Sequence, residues 1–120
     1  MLRTICKSKI AHLKVTQAEL KYEGSITIDA KLLDAADILP GEKVEVLNLN
    51  NGSRLETYAI RGKENSGVVC LNGPAARSGC VGDELIILAY CLADEKEAKS
   101  IKTKVVYVDA RNKIKDSSLR

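Results

Sequence analysis

The sequence predicts one mainly β domain, a small barrel with a few short helices, and three observations carry that prediction. The chain has 120 residues, which is enough for one hydrophobic core and too few for two. Its apolar residues fall into about seven short runs of strand length, with no long run of helical period. Turn signals separate those runs, foremost Asn50-Asn51-Gly52-Ser53 and Leu39-Pro40-Gly41. Strand counting alone leaves a barrel and a sandwich equally open.

In chain order, Leu2 to Cys6 and Leu13 to Thr16 read as strands, with Lys9 on the segment between them. Thr16-Gln17-Ala18-Glu19 has capping-box spacing and predicts a helical turn. Ile26 to Asp29 alternates as a strand, and Asp29 is placed to cap a short helix through Lys31-Leu32-Leu33-Asp34-Ala35-Ala36. Lys43 to Asn48 and Arg54 to Ile60 flank the Asn-Gly turn, whose glycine accepts a positive φ at low cost, so they form a hairpin. Val68 to Leu71, Glu84 to Leu92 and Lys104 to Val108 supply three further strands. Ala93 to Lys99 reads as a short polar helix. Residues 111–120 are charged, poor in large apolar side chains, and expected to fray as a flexible tail.

Composition narrows the function classes. A net charge of +3, with four Tyr and neither Phe nor Trp, gives little footing for a nucleic-acid partner. The start Met1-Leu2-Arg3-Thr4-Ile5-Cys6-Lys7 lacks a signal-peptide apolar segment, and no run is long enough to span a membrane. A cytoplasmic protein without membrane contact is expected. Cys6, Cys70, Cys80 and Cys91 are widely spaced, with His12 as the sole imidazole, so no metal site is expected.

The run Tyr22-Glu23-Gly24-Ser25-Ile26-Thr27-Ile28-Asp29 places a Gly-Ser peptide at the mouth of a strand. A serine hydroxyl there is positioned to attack its own backbone. The dipeptide alone proves nothing, since Gly52-Ser53 is a second copy inside a turn. Taken alone, Gly24-Ser25 is equally a glycine turn ahead of an edge strand. Context separates the two copies, because the Ile26, Ile28 alternation can hold the preceding peptide in one geometry.

Four separated blocks carry a wider likeness: Arg3-Thr4 with Lys9-Ile10; Val15-Thr16-x-Ala18-x-Leu20-x-Tyr22-x-Gly24-Ser25; Asn50-Asn51-Gly52-x-Arg54-x-x-Thr57-Tyr58; and Leu71-Asn72-Gly73-Pro74-Ala75-Ala76-Arg77 followed by Val81-Gly82-Asp83. In this order and spacing the chain resembles the pyruvoyl-dependent aspartate decarboxylases, which make β-alanine for pantothenate synthesis. That resemblance implies a double-psi β-barrel and a homotetramer. It also implies self-cleavage between Gly24 and Ser25 into residues 1–24 (β chain) and 25–120 (α chain), with Ser25 converted to a covalent pyruvoyl group. The pyruvoyl replaces pyridoxal phosphate as electron sink, forming a Schiff base with the L-aspartate amine. Some relatives need a maturation partner for the cleavage.

The same resemblance assigns roles by position. Thr57 serves the processing step and lines the substrate site; on its own it is an ordinary strand residue. Tyr58 is the proton donor to Cα. Arg54, four residues earlier and on the same strand face, is the substrate-carboxylate ligand, with Lys9 as a second cation. Gly73, Pro74 and Ala75 form the substrate-binding loop, and Asn72 stands near the pyruvoyl end. Tyr22 is either a pocket residue or a packed aromatic. Two departures stand out: Ala11 occupies the position after Lys-Ile where family members commonly carry histidine, and Pro74 replaces a common alanine, removing one backbone N–H. Two competing readings remain at this point, a β-barrel interaction module whose Gly24-Ser25 stays intact, and a pyruvoyl decarboxylase of another amino acid.

Overall fold

A computed structural model describes residues 1–119. The elements are β1 (Leu2–Lys14), β2 (Gln17–Glu19), β3 (Ser25–Asp29), α1 (Ala30–Ala35), β4 (Lys43–Asn48), β5 (Arg54–Gly62), β6 (Val69–Asn72), β7 (Glu84–Asp94), α2 (Glu95–Ala98), β8 (Lys104–Val108) and β9 (Ile114–Leu119), with a 3-10 turn over Gly73–Arg77. Strands are ordered β2-β6-β3-β5-β4-β7-β1-β8-β9. Three of the eight pairings, β1 with β8, β2 with β6 and β3 with β5, are parallel, and the others antiparallel.

The sheet closes on itself. Thr16, two residues past the end of β1, donates its backbone N–H to the Val69 carbonyl in β6 at 2.8 Å, although β1 and β6 stand five places apart in the sheet order. One cluster fills the interior, drawn from β1 (Ile10, Leu13), β3 (Ile26, Ile28), β6 (Val69, Leu71), β7 (Leu85, Ile87) and β8 (Val106, Val108), with Leu32 and Leu33 of α1. A single core shared by strands from both halves of the sheet requires the sheet to wrap around it. The protein is a small, mainly β barrel with short helices, as the sequence predicts.

Local chemistry explains the element ends. Asp29 caps α1 by accepting from Lys31 N–H at 2.9 Å. Its buried carboxylate also accepts from Asn65 N–H at 3.0 Å and Gly67 N–H at 2.8 Å, tying the loop before β6 to the helix start. The β4–β5 hairpin turns at Gly52, whose φ is +74°. Asp94 and Glu97 make a reciprocal capping box on α2.

Three expectations are corrected. Thr16-Gln17-Ala18-Glu19 opens no helix: Thr16 Oγ1 donates to the Val69 carbonyl and accepts from Val69 N–H, and Gln17–Glu19 pairs in parallel with Cys70–Asn72. The threonine has spent its hydroxyl on β6, so nothing remains to cap a helix. The two strands expected around Lys9 are one continuous β1, because bulges between Cys6 and Ser8 and between Ile10 and Leu13 interrupt the alternation without breaking the pairing to β7. The segment after Arg111, expected to fray, pairs as β9 along β8, its backbone groups satisfied by the Lys104–Val108 edge; Arg120 lies outside the described residues. No helix among the described residues is long and apolar enough to cross a membrane.

Candidate active site

β3 alternates faces, and the alternation decides what each residue does. Ile26 and Ile28 enter the core, while Ser25 and Thr27 project to the opposite face. On the neighbouring β6, Val69 and Leu71 take the core and Cys70 and Asn72 share the outer face. The antiparallel register sets Ser25 opposite Asn72 and Thr27 opposite Cys70. Four polar or soft side chains therefore meet on one patch of the barrel wall.

Their hydrogen bonds are continuous. Asn72 Nδ2 donates to Ser25 Oγ at 2.9 Å and to Thr27 Oγ1 at 2.9 Å, using both of its hydrogens. Cys70 Sγ lies 3.2 Å from Asn72 Oδ1 and donates to it. Burial pushes the Cys70 thiol above its ordinary pKa, and the Glu19 carboxylate adds to that, so the sulfur keeps its hydrogen. Ser25 is fully buried. An N–H aimed at Oγ stabilises negative charge that develops there.

The peptide before Ser25 is held tightly. Gly24 has φ of +111°, and Gly73 behind it has φ of +64°. A Cβ on Gly73 would sit 2.4 Å from the Tyr22 carbonyl oxygen and 2.7 Å from the Gly24 nitrogen. Only a residue without a side chain lets the two backbones approach this closely.

In front of Gly24 opens a cleft of about 350 Å³, lined by Glu23, Gly24, Leu55, Glu56, Thr57, Tyr58, Pro74, Ala75 and Ser78. β3 and β5 run parallel with Ile26 beside Ala59, so Tyr58 and Thr57, one and two residues earlier, come beside Ser25 and Gly24; Gly24, Thr57 and Tyr58 line the cleft, and Ser25 is buried. The structure thus gathers Gly24, Ser25, Thr57, Tyr58, Asn72, Gly73, Pro74 and Ala75 in one place.

Arg54 and Lys9 stand apart from it. The Arg54 guanidinium bonds Glu45 at 3.1 Å, where Tyr90 Oη also donates at 3.0 Å. Lys9 lines a different cavity with Ala11, Ile86, Thr103, Val105 and Tyr107. Tyr22 turns an exposed ring outward and contributes its carbonyl against Gly73. His12, at φ +70°, is paired with Glu84 and stacked on Tyr107, away from the cleft. The charged residues lining the cleft, Glu23 and Glu56, are acidic.

Thr27 and Cys70 were not singled out from sequence, although a signal existed. Each lies two residues from Ser25 or Asn72 on a strand, and period-two parity alone puts it on the same face. Glu23, Leu55, Glu56 and Ser78 carry no such signal, because only the folded barrel brings them to one cleft.

Comparison with known proteins agrees over nearly the whole chain. The family model described as aspartate decarboxylase matches residues 1–115. The chain is 56% identical over 113 residues to a protein of Thermoanaerobacter pseudethanolicus named aspartate 1-decarboxylase, covering 94% of this chain and 97% of that one. It is 58% identical over 114 residues to a Carboxydothermus hydrogenoformans protein of the same name, covering 95% and 90% respectively. A third protein of that name, from Cytophaga hutchinsonii, is 54% identical over 110 residues, covering 92% of this chain and 96% of its own. The barrel, the Gly24-Ser25 peptide against Gly73, and these matches lead to one conclusion: the chain belongs to the aspartate decarboxylase family.

Proposed function

We propose that this chain cleaves itself between Gly24 and Ser25, carries the resulting pyruvoyl group at residue 25, and decarboxylates L-aspartate to β-alanine and CO2, a step toward pantothenate. The observation that carries this reading is the buried Ser25 Oγ, 2.9 Å from the Asn72 amide, directly after a glycine pressed against Gly73. Family membership supplies the reaction class.

Serine is a weak nucleophile and an amide a poor electrophile, so the surroundings have to assist. In this reading Ser25 Oγ loses its proton and bonds to the Gly24 carbonyl carbon. The Gly24–Ser25 C–N bond then breaks, leaving an ester and a free Ser25 amine. Loss of the Ser25 α-proton expels the Gly24 carboxylate from Cβ, and water replaces the nitrogen of the resulting dehydroalanine, releasing ammonia. Thr57, in the cleft beside Gly24, is the donor for the oxyanion that forms on the Gly24 carbonyl. One such donor is worth on the order of 3 kcal/mol. The Asn72 amide steadies charge on Oγ.

The residues present fit a pyruvoyl at this position: Gly73, having no Cβ, lets the Gly24 backbone seat against it, and the cleft opens in front of Gly24. A pyruvoyl group at residue 25 would supply the carbonyl electrophile and electron sink that decarboxylation of an amino acid needs. Tyr58, also in the cleft, delivers a proton to Cα. Pro74 has no backbone N–H, so donation from this loop falls to Gly73 and Ala75. Among the described residues lining the cleft there is no lysine or arginine to meet a dicarboxylate. Arg54 and Lys9 therefore serve this reading as cations brought to the cleft by a neighbouring copy in the homotetramer.

Intact-mass measurement of purified protein tests the proposal, with and without cell extract to supply any maturation partner. Two fragments are expected, residues 1–24 and a larger one whose mass matches a pyruvoyl start. Ser25→Ala should stay full length. A wild-type chain that remains intact under both conditions overturns the proposal and leaves an uncleaved binding module. Cleaved protein that turns over alanine as well as aspartate points to another substrate.

A further inference from the structure

We infer that Cys70 is a positioning residue for self-cleavage, holding the Asn72 amide so that its NH2 end faces Ser25; this rests on the reading that Ser25 attacks Gly24. The two ends of an amide have nearly the same shape, so their orientation is set by the chemistry of their partners. Ser25 and Thr27 are hydroxyls, and a hydroxyl accepts or donates with equal ease. Either end of Asn72 could face them. The thiol is the one-sided partner, since its S–H donates while its sulfur is a poor acceptor. Cys70 Sγ reaches Asn72 Oδ1 at 3.2 Å; its other acceptor among the described residues is the Leu71 carbonyl, at 3.9 Å. Fixing Oδ1 on the thiol turns both Nδ2 hydrogens to the hydroxyls, at 2.9 Å each.

The orientation matters for the attack. With Nδ2 toward Ser25, Oγ accepts an N–H, and charge developing on it is stabilised. With the amide reversed, Ser25 would spend its own hydrogen on Oδ1, and an oxyanion at Oγ would face a carbonyl lone pair. The thiol is 6% exposed and opposite Thr27 in the strand register, so backbone pairing holds it in place. It is not among the residues that line the cleft. Its effect passes through Asn72.

The test compares cleavage rates, followed by intact mass, in Cys70→Val and Cys70→Ser. Valine keeps an apolar side chain on the strand and removes the donor; serine keeps a donor, but its hydroxyl also accepts, so it fixes the amide only in part. Cys70→Val should cleave about five- to tenfold more slowly, the equivalent of one neutral hydrogen bond, and Cys70→Ser at a rate between Cys70→Val and wild type. Equal rates in Cys70→Val and wild type, or equal slowing in both variants, overturn the inference. If valine does not fold, Cys70→Ala takes its place with the same expectation. A second readout uses the uncleavable Ser25→Ala protein, where the S–H stretch should lie at the hydrogen-bonded frequency and move to the free value on adding Asn72→Leu. A free S–H stretch in Ser25→Ala overturns the inference even if cleavage proceeds. Failure of the wild type to cleave, with a hydrogen-bonded S–H, instead indicts the reading of Ser25.

Discussion

Replacing Gly73 by alanine adds one methyl group at the tightest backbone contact near the cleavage site, and its cost can be worked from the geometry. The new Cβ would stand 2.4 Å from Tyr22 O, 2.7 Å from Gly24 N and 2.9 Å from Gly24 Cα, whereas ordinary contact begins at 3.4 Å. All three atoms are backbone, so no side chain can swing away, and the two chain segments have to part by about 1 Å. Overpacking of this kind costs about 1–3 kcal/mol, and alanine at a left-handed φ adds about 1 kcal/mol. The sum, about 2–4 kcal/mol, should lower Tm by about 8–16 °C for a chain of this length. The larger effect is on chemistry, because two of the three displaced atoms belong to Gly24. A misplacement of about 1 Å costs on the order of 100-fold in rate. Gly52→Ala is the control: its φ is +74° and nothing lies within 4 Å, so it incurs the conformational cost without the collision. Mass spectrometry over time gives the cleavage rates, and thermal melts at matched concentration give stability. Gly73→Ala should cleave on the order of 100-fold more slowly than Gly52→Ala. Cleavage within twofold of wild type would refute the claim that Gly73 seats Gly24.

Three further outcomes are expected. Tyr58→Phe should mature normally and bind aspartate, yet form β-alanine about 10²–10⁴-fold more slowly, as loss of a general acid predicts; turnover within a few-fold of wild type assigns the proton to another group. Arg54→Lys should cleave normally but lose most of its kcat/KM for aspartate, because lysine cannot reproduce the bidentate fork; an unchanged kcat/KM removes Arg54 from substrate binding. Asp29→Ala should destabilise the fold by about 2–4 kcal/mol in urea unfolding, since Lys31, Asn65 and Gly67 N–H groups lose their acceptor together; a loss below about 1 kcal/mol would mean that water replaces the carboxylate.

Local pattern settled much of this protein before any tertiary contact was considered. The Asn51-Gly52 turn demanded a hairpin, Asp29 demanded a helix start, and the Ile26, Ile28 alternation demanded a strand with its core face fixed; the chain adopts all three. These features depend on residues within a few positions of one another, which is the range over which turn chemistry and strand parity act. Parity also placed Arg54 and Tyr58 on one strand face, where the burial pattern of β5 puts them.

What closure of the barrel decided was different in kind. Thr16 had two outlets for its hydroxyl, a helix cap or the Val69 backbone, and only the proximity of β6 selected the second. The bulges in β1 and the pairing of β9 depend on partner strands some eighty residues away or on the facing edge of β8. The same holds for the site. Its blocks were legible as sequence, but that Gly73 presses on Gly24, and that Cys70, Asn72, Ser25 and Thr27 join in one hydrogen-bonded string, follows from the β3–β6 register. Arg54 and Lys9 are parted from the cleft for the corresponding reason: β1 and the start of β5 carry them to other parts of the barrel wall. Periodicity fixes which face a residue takes along its own strand, and only the pairing of strands fixes which residues share that face.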